Sequence, residues 1–348
     1  MTTPRAAAGA DSASREPPRM SGAADGGTFR IGGAIVRPGT CVGVAIPVAP
    51  LYNQVMIDVR TFVFRGTRPG PRLWISGAIH GDELCGVIIV RAVARRIDPS
   101  RLAGTLVAVP AVNVFGALHQ SRYLPDRRDL NRCFPGSRRG SLAARLAHLF
   151  MKEIVGRCTH GIDLHSAAIH RTNLPQIRAN LEDRETRRMA RAFGAPVTIH
   201  ANERDGSLRQ AASRKGVPTL LYEGGEALRH EGAVVEAGTR GVLRVMGALG
   251  MIDDPPPAGD RGMESYDTTW VRAPRSGYLV LETALGRRVR RHDRIGTLHM
   301  RIRDEEPGAS DAVIRAPESG LVIGHATNPL VHVGDAIVHI ARPGKPSA

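Results

Sequence analysis

The feature that most limits the fold of this chain is the stretch 253–262, DDPPPAGDRG, in which Pro255, Pro256 and Pro257 follow one another. Three successive prolines have no backbone N–H to give to a helix or an interior strand, so neither element can run through them. The stretch therefore predicts a linker. With 348 residues, at roughly 150 per domain, the chain has length for about two folding units.

Upstream of the linker, residues 1–27 are rich in Ala, Gly, Ser, Pro and charge, with little large enough to bury, and read as a disordered tail. From 28 to 48, short apolar pieces sit between glycines and prolines, and 54–64 (QVMIDVRTFVF) alternates like a strand; both predict paired edge strands. Apolar runs of strand length at 72–78, 106–110, 161–164, 197–200 and 219–222 then alternate with helical patterns at 84–96, 142–155 and 184–193. This succession predicts an α/β unit over 28–252, a mixed central sheet with flanking helices, whose chemistry gathers at the carboxyl ends of strands.

Downstream, over 263–348, VRAPRSGYL at 271–279 and IRAPESGLV at 314–322 repeat at an offset of 43 residues. Each is followed by a similar second piece, VRRHDRIGTL from Val289 and VHVGDAIVHI from Val331. The pattern predicts a small all-β domain with internal pseudo-symmetry, and it resembles the barrel-sandwich form of biotinyl and lipoyl carriers. No lysine lies between Gly262 and Pro343 to be acylated, so a carrier role is excluded.

A formal net charge of +15 suggests nucleic acid or anionic membrane as a partner. Of the 48 basic residues, however, only Lys152, Lys215 and Lys345 are lysines. The arginines are scattered, and aromatic residues are 4% of the chain, so the clustered basic and stacking surface of a nucleic-acid binder is missing. Cysteines 41, 85, 133 and 158 form no CxxC pair, which fits a reduced, cytoplasmic protein. No apolar stretch approaches the ~18 residues of a membrane helix, and no secretory signal is evident.

Candidate chemistry lies at three strand ends. His80 and Glu83 sit where a strand gives way to a helix, a spacing that can aim both at one ion, or that can equally be a helix start with an incidental histidine. His165 follows the strand GIDL, after Asp163, and is the natural third ligand. Glu223 ends TLLY before Gly224 and Gly225, where a carboxylate can move a proton for a bound water or can pair with an arginine. Glu226 competes for the same role. Between these, 120–136 (QSRYLPDRRDLNRCFPG) reads as an arginine-rich loop, with Arg122, Asn131 and Arg132 suited to a carbonyl and a carboxylate.

In order, His80-Gly-Asp-Glu83, Asn113, Arg122-Tyr123, Asp129-Leu-Asn131-Arg132-x-Phe-Pro-Gly136, Asp163-Leu-His165 and Glu223-Gly-Gly225 resemble the succinylglutamate desuccinylase/aspartoacylase family, with its zinc carboxypeptidase-like fold. The resemblance covers about residues 70–230 and extends to the β-rich C-terminal unit. It implies one zinc ion per chain held by His80, Glu83 and His165, with Glu223 as general base and acid. Arg122 is implied to polarise the scissile carbonyl, and Asn131 and Arg132 to hold the substrate α-carboxylate.

The stretch from Arg122 to Asn131 is longer than in animal aspartoacylases, which leaves Arg127 and Arg128 as alternatives to Arg122. Arg178, Arg209 and Arg214 are all candidates for reading an acidic side chain. The resulting expectation is a zinc-dependent amidohydrolase acting on a small N-acyl amino acid or related amine. It takes no nucleic-acid or membrane partner and, as family members often do, forms a homo-oligomer. An esterase or carboxypeptidase, or a binding protein on the same scaffold, are the alternatives.

Overall fold

The apolar runs assemble into one 13-stranded sheet in the computed structural model of the chain, which describes residues 28–259, 261–300 and 311–344. The tail expected over 1–27 lies outside the described residues. Three parallel pairings form the centre: Thr219–Glu226 beside His160–Ala167, then Arg68–Gly77, then Ala103–Val109. Met56–Arg65 and Thr40–Pro50 extend the sheet antiparallel to its edge. Among the described residues no helix is long and apolar enough to cross a membrane.

Both faces of the central strands are covered, which is why they read as continuous apolar runs rather than alternating ones. Leu73 and Ile75 point into the core shared with helices Leu84–Ala94, Arg184–Phe193 and Gly232–Ala248. Trp74, between them, points into the opposite core with Leu146 and Phe150 of helix Leu142–Glu153. Trp74 meets Phe150 edge to face, with ring centroids 5.7 Å apart. Its ring is accommodated by Gly161 on the next strand, where an added Cβ would stand 2.2 Å from the indole.

The strand Arg171–Ala179 (RTNLPQIRA) has no apolar run or clean alternation to announce it, and Pro175 argues against an interior position. The structure resolves that conflict by changing neighbours at the proline. Residues 171–173 pair with Gly320–Ala326, residues 176–179 pair with Val197–His200, and the pairing with Thr219–Glu226 also skips 174 and 175. Pro175 therefore has no ladder bond to lose.

The two sides of the proline-rich linker share this sheet. Beyond it, Met263–Ser265 pairs with Val197–His200, and Gly320–Ala326 pairs with Arg171–Ala179. The 43-residue repeat appears as two interleaved layers. Asp267–Arg272, Ala336–Arg342, Gly320–Ala326 and Arg288–Val289 form one, while Ala312–Arg315, Arg294–His299, Gly277–Leu281 and Leu330–Val331 form the other. Each layer takes strands from both repeats, the arrangement of a barrel-sandwich, around a core of Val271, Ile295, Leu298, Ile314, Val322 and Ile337.

Gly161→Ala should force the fully buried Trp74 off its seat and lower stability by about 1–3 kcal/mol, the usual cost of overpacking. Thermal melts of the purified variant against the parent check it; an unchanged midpoint would mean that the indole relaxes freely.

Candidate active site

The strand Arg68–Gly77 turns sharply at Ala78 (φ 48°) and delivers His80 and Glu83 to the mouth of helix Leu84–Ala94. The turn is pinned because Val112 N–H donates to Gly77 O and Asn113 N–H to Ala78 O. His165 comes from the neighbouring strand His160–Ala167 and stands directly across the parallel ladder from Glu223. His80, Glu83 and His165 are 4%, 2% and 2% exposed, and one ligand atom from each lies within 4.8 Å of the others. They could hold a metal ion.

Both imidazoles are oriented the same way. Nδ1 of His80 lies 2.6 Å from Glu83 Oε1, and Nδ1 of His165 lies 2.7 Å from Glu83 Oε2. On the far side of each ring Nε2 meets a carboxylate, Asp129 Oδ1 at 3.1 Å for His80 and Asp163 Oδ2 at 2.7 Å for His165. A proton held on Nε2 by those carboxylates leaves the Nδ1 lone pairs facing inward, as a metal ligand requires. Asp163 is fixed in turn by the Ser76 hydroxyl, which donates to it at 2.7 Å.

The charges are strongly coupled. Burial alone would raise the Glu83 pKa, but His80 and His165 outweigh it and hold the carboxyl well below the usual range. Burial would lower the pKa of His165, and the carboxylates of Asp163 and Glu83 reverse this and raise it well above that of an ordinary histidine. Asp129 is likewise held low against its own burial, by His80 and Arg122.

A cleft of about 280 Å³ opens on this cluster, lined also by Arg122, Asn131, Arg132, Asn173, Glu223 and Trp270. Larger clefts, of about 580 and 660 Å³, carry no such convergence of ligand groups among the described residues. Arg122 bonds Asp129 at 2.9 Å and reaches Glu83 Oε1 at 3.4 Å, whereas Arg127 and Arg128 are exposed and away from the cleft. Asn131 accepts from Leu208 N–H at 2.9 Å through Oδ1, which orients its amide. Glu223 accepts from Asn173 Nδ2 at 2.9 Å and lies 3.7 Å from Arg178. Glu226 is drawn elsewhere, accepting from His170 N–H and the Thr327 hydroxyl.

The catalytic-domain model of the succinylglutamate desuccinylase/aspartoacylase family matches residues 69–249. The chain belongs to that family. It is 30% identical over 306 residues to an N-alpha-acetyl-L-2,4-diaminobutyric acid deacetylase of Halomonas elongata, covering 84% of this chain and 87% of that one. A succinylglutamate desuccinylase/aspartoacylase structure from Rhodobacter sphaeroides superposes with a TM-score of 0.77 at 27% identity, over 88% of this chain and 95% of that one. The product-bound ectoine utilization protein EutE (DoeB) of Ruegeria pomeroyi shares the fold, with a TM-score of 0.76 at 22% identity over 87% and 95% of the two chains.

In this family member the cleft also gathers residues that the sequence did not single out. Asp129 was legible only as part of a motif, although it joins His80 to Arg122. Asn173 was hidden in the unannounced strand. Of the arginines weighed for side-chain recognition, Arg178 and Arg209 line the cleft, joined by Arg171 and Arg204, while Arg214 is exposed at a helix end. Arg209 donates to the carbonyls of Ala201 and Asn202, and burial draws its pKa down to about 10.

From the C-terminal unit, Trp270 stacks on His339 with centroids 4.2 Å apart and planes 6° apart. His339 is 2% exposed with neither ring nitrogen hydrogen-bonded among the described residues, and burial followed by the Arg178 charge draws its pKa down to about 3.

Two outcomes are expected. Asp163→Asn should weaken metal binding about 10- to 100-fold, the usual effect of removing a ligand's orienting carboxylate, read by competition with a chromogenic chelator. His339 stays neutral in the fold while an unfolded chain protonates it below its ordinary value of 6.5. Stability is thus unpenalised above that pH and is lost as pH falls toward about 3, at up to roughly 1.4 kcal/mol per pH unit. His339→Phe should flatten that acid limb in melts taken from pH 7 to 4; an identical slope would show that His339 does not titrate this way.

Proposed function

We propose that this chain is a zinc-dependent hydrolase that removes the N-acyl group from a small N-acylated amino acid or related amine. The observation that carries this reading is the placement of Glu223, across the ladder from His165 and inside the cleft that holds His80, Glu83 and Arg122. Two imidazole nitrogens and one carboxylate match the donor set of a catalytic zinc site, which keeps further positions for water and substrate. When bound, the zinc supplies Lewis acidity toward the acyl carbonyl and lowers the pKa of water.

The chain's own groups do the rest. Glu223 takes the proton from the attacking water and returns it to the departing amine nitrogen, the two transfers that an amide needs. Asn173 and Arg178 hold its carboxylate in place for both. Arg122, fixed by Asp129, donates to the carbonyl oxygen as negative charge develops there. Asn131, its amide oriented by Leu208, and Arg132 beside it hold the α-carboxylate with a planar donor fork. A cleft of about 280 Å³ suits a small molecule better than a peptide. The diaminobutyrate deacetylase relative supports cleavage of an amide of this kind.

Purified protein should carry about one zinc per chain and release amine from N-acyl amino acids, with loss on chelation and return on adding zinc. Glu223→Gln should lower turnover about 10²- to 10⁴-fold while leaving metal content unchanged. Full turnover in that variant would sink the assignment of the base, and protein that binds no zinc would sink the ligand set.

A further inference from the structure

A row of residues runs from the proposed base into the C-terminal unit on one face of the sheet. Asn173, bonded to Glu223, pairs in register with Gly324; Gly324 pairs with His339, and His339 with Trp270. A Cβ on Gly324 would stand 2.8 Å from the Asn173 amide oxygen, so glycine keeps Asn173 seated and the row continuous. The row ends in the half-buried Trp270 ring on the cleft wall, with His339 behind it. The Arg171 guanidinium sits over the ring, 5.3 Å from its centroid, also in the cleft and with no acidic partner among the described residues.

We infer that the C-terminal unit, together with Arg171 from the adjoining strand, forms the acyl subsite: Trp270 packs on the acyl chain, His339 is the positioning residue that holds the indole, and Arg171 favours an acyl group with a carboxylate at its far end. The inference rests on the amidohydrolase reading, because it needs Asn131 and Arg132, tied to the segment around Leu208, to hold the α-carboxylate. An amide has two halves, so Trp270, at the end of the row, and Arg171 over its ring are left for the acyl half. An indole face accepts methylene groups without hydrogen bonds, and a guanidinium at that face is geometrically suited to a carboxylate. His339 fits a stacking role because its nitrogens bond to nothing among the described residues, so its flat ring is what Trp270 uses.

The test uses the zinc-loaded full chain and two panels, one amine with acetyl, butyryl and succinyl groups, and one acyl group on several amines. Trp270→Ala should lower kcat/KM for the preferred acyl group on the order of tenfold or more, mainly through KM. It should flatten the acyl ranking and keep the amine ranking. His339→Ala should behave the same way and His339→Phe should restore the parent, a rescue that loss of folding alone would not give. Arg171→Gln should shrink the succinyl-to-acetyl ratio.

An unchanged acyl ranking in Trp270→Ala, or a change confined to the amine ranking, overturns the inference. A second readout does not need turnover. Trp74 and Trp270 are the two tryptophans, so the emission lost in Trp270→Phe is that of Trp270. Saturable quenching of that component by succinate, weaker with acetate, supports the subsite, and a flat titration overturns it. A chain that hydrolyses nothing yet shows the quenching defeats the amidohydrolase reading and leaves the pocket standing as an acid-binding site.

Discussion

Burying an ionised carboxylate is among the most expensive things a fold can do, and Glu83, 2% exposed, is buried with two histidines drawn to its two oxygens. That arrangement is tolerable because charge of the opposite sign, a proton or a metal ion, must sit with it. The surrounding structure follows from this requirement. Asp129 and Asp163 face the outer nitrogens, Ser76 holds Asp163, and Arg122 balances Asp129. Each of these comes from a different strand end or from the loop 120–136, so the electrostatics of one carboxylate fix the registry of several elements.

The parallel centre of the sheet makes such convergence possible. Adjacent parallel strands all finish at the same edge, and the ladder sets His165 opposite Glu223 and Ser76 opposite Asp163 without any loop having to find them. Precision of this kind belongs to rigid strands rather than loops. What the loops add is charge and an amide: Arg122, Arg132 and Asn131 come from a segment with little regular structure, anchored by Asp129 capping Asn131 and by Leu208.

This division also explains what could be read in advance. The buried strands, the helix at 84 and the meeting of His80, Glu83 and His165 were legible because a continuous apolar run ending in polar residues marks both a strand and the edge where polar side chains collect. The strand Arg171–Ala179 was not, because its polar side chains serve the cleft and its proline sits where the neighbouring strands change over. Asn173 was lost with it. Trp270 and His339 lie 69 residues apart and meet only through strand pairing, a contact that no local spacing encodes. The repeat at 271 and 314 was visible, and the structure shows why: each layer of the barrel-sandwich borrows strands from both copies, so the two copies must match in length and turn.

The same interleaving bears on how the C-terminal unit relates to the site. A module tethered by residues 253–262 alone could pivot, but strands on both sides of that linker hydrogen-bond into one sheet. The contact at Gly324 and Asn173 places that junction one hydrogen bond from Glu223. Movement of the unit would therefore disturb the Glu223 carboxylate proposed as the base. A shared sheet removes that freedom, and it does so where Pro175 would otherwise have interrupted the ladder.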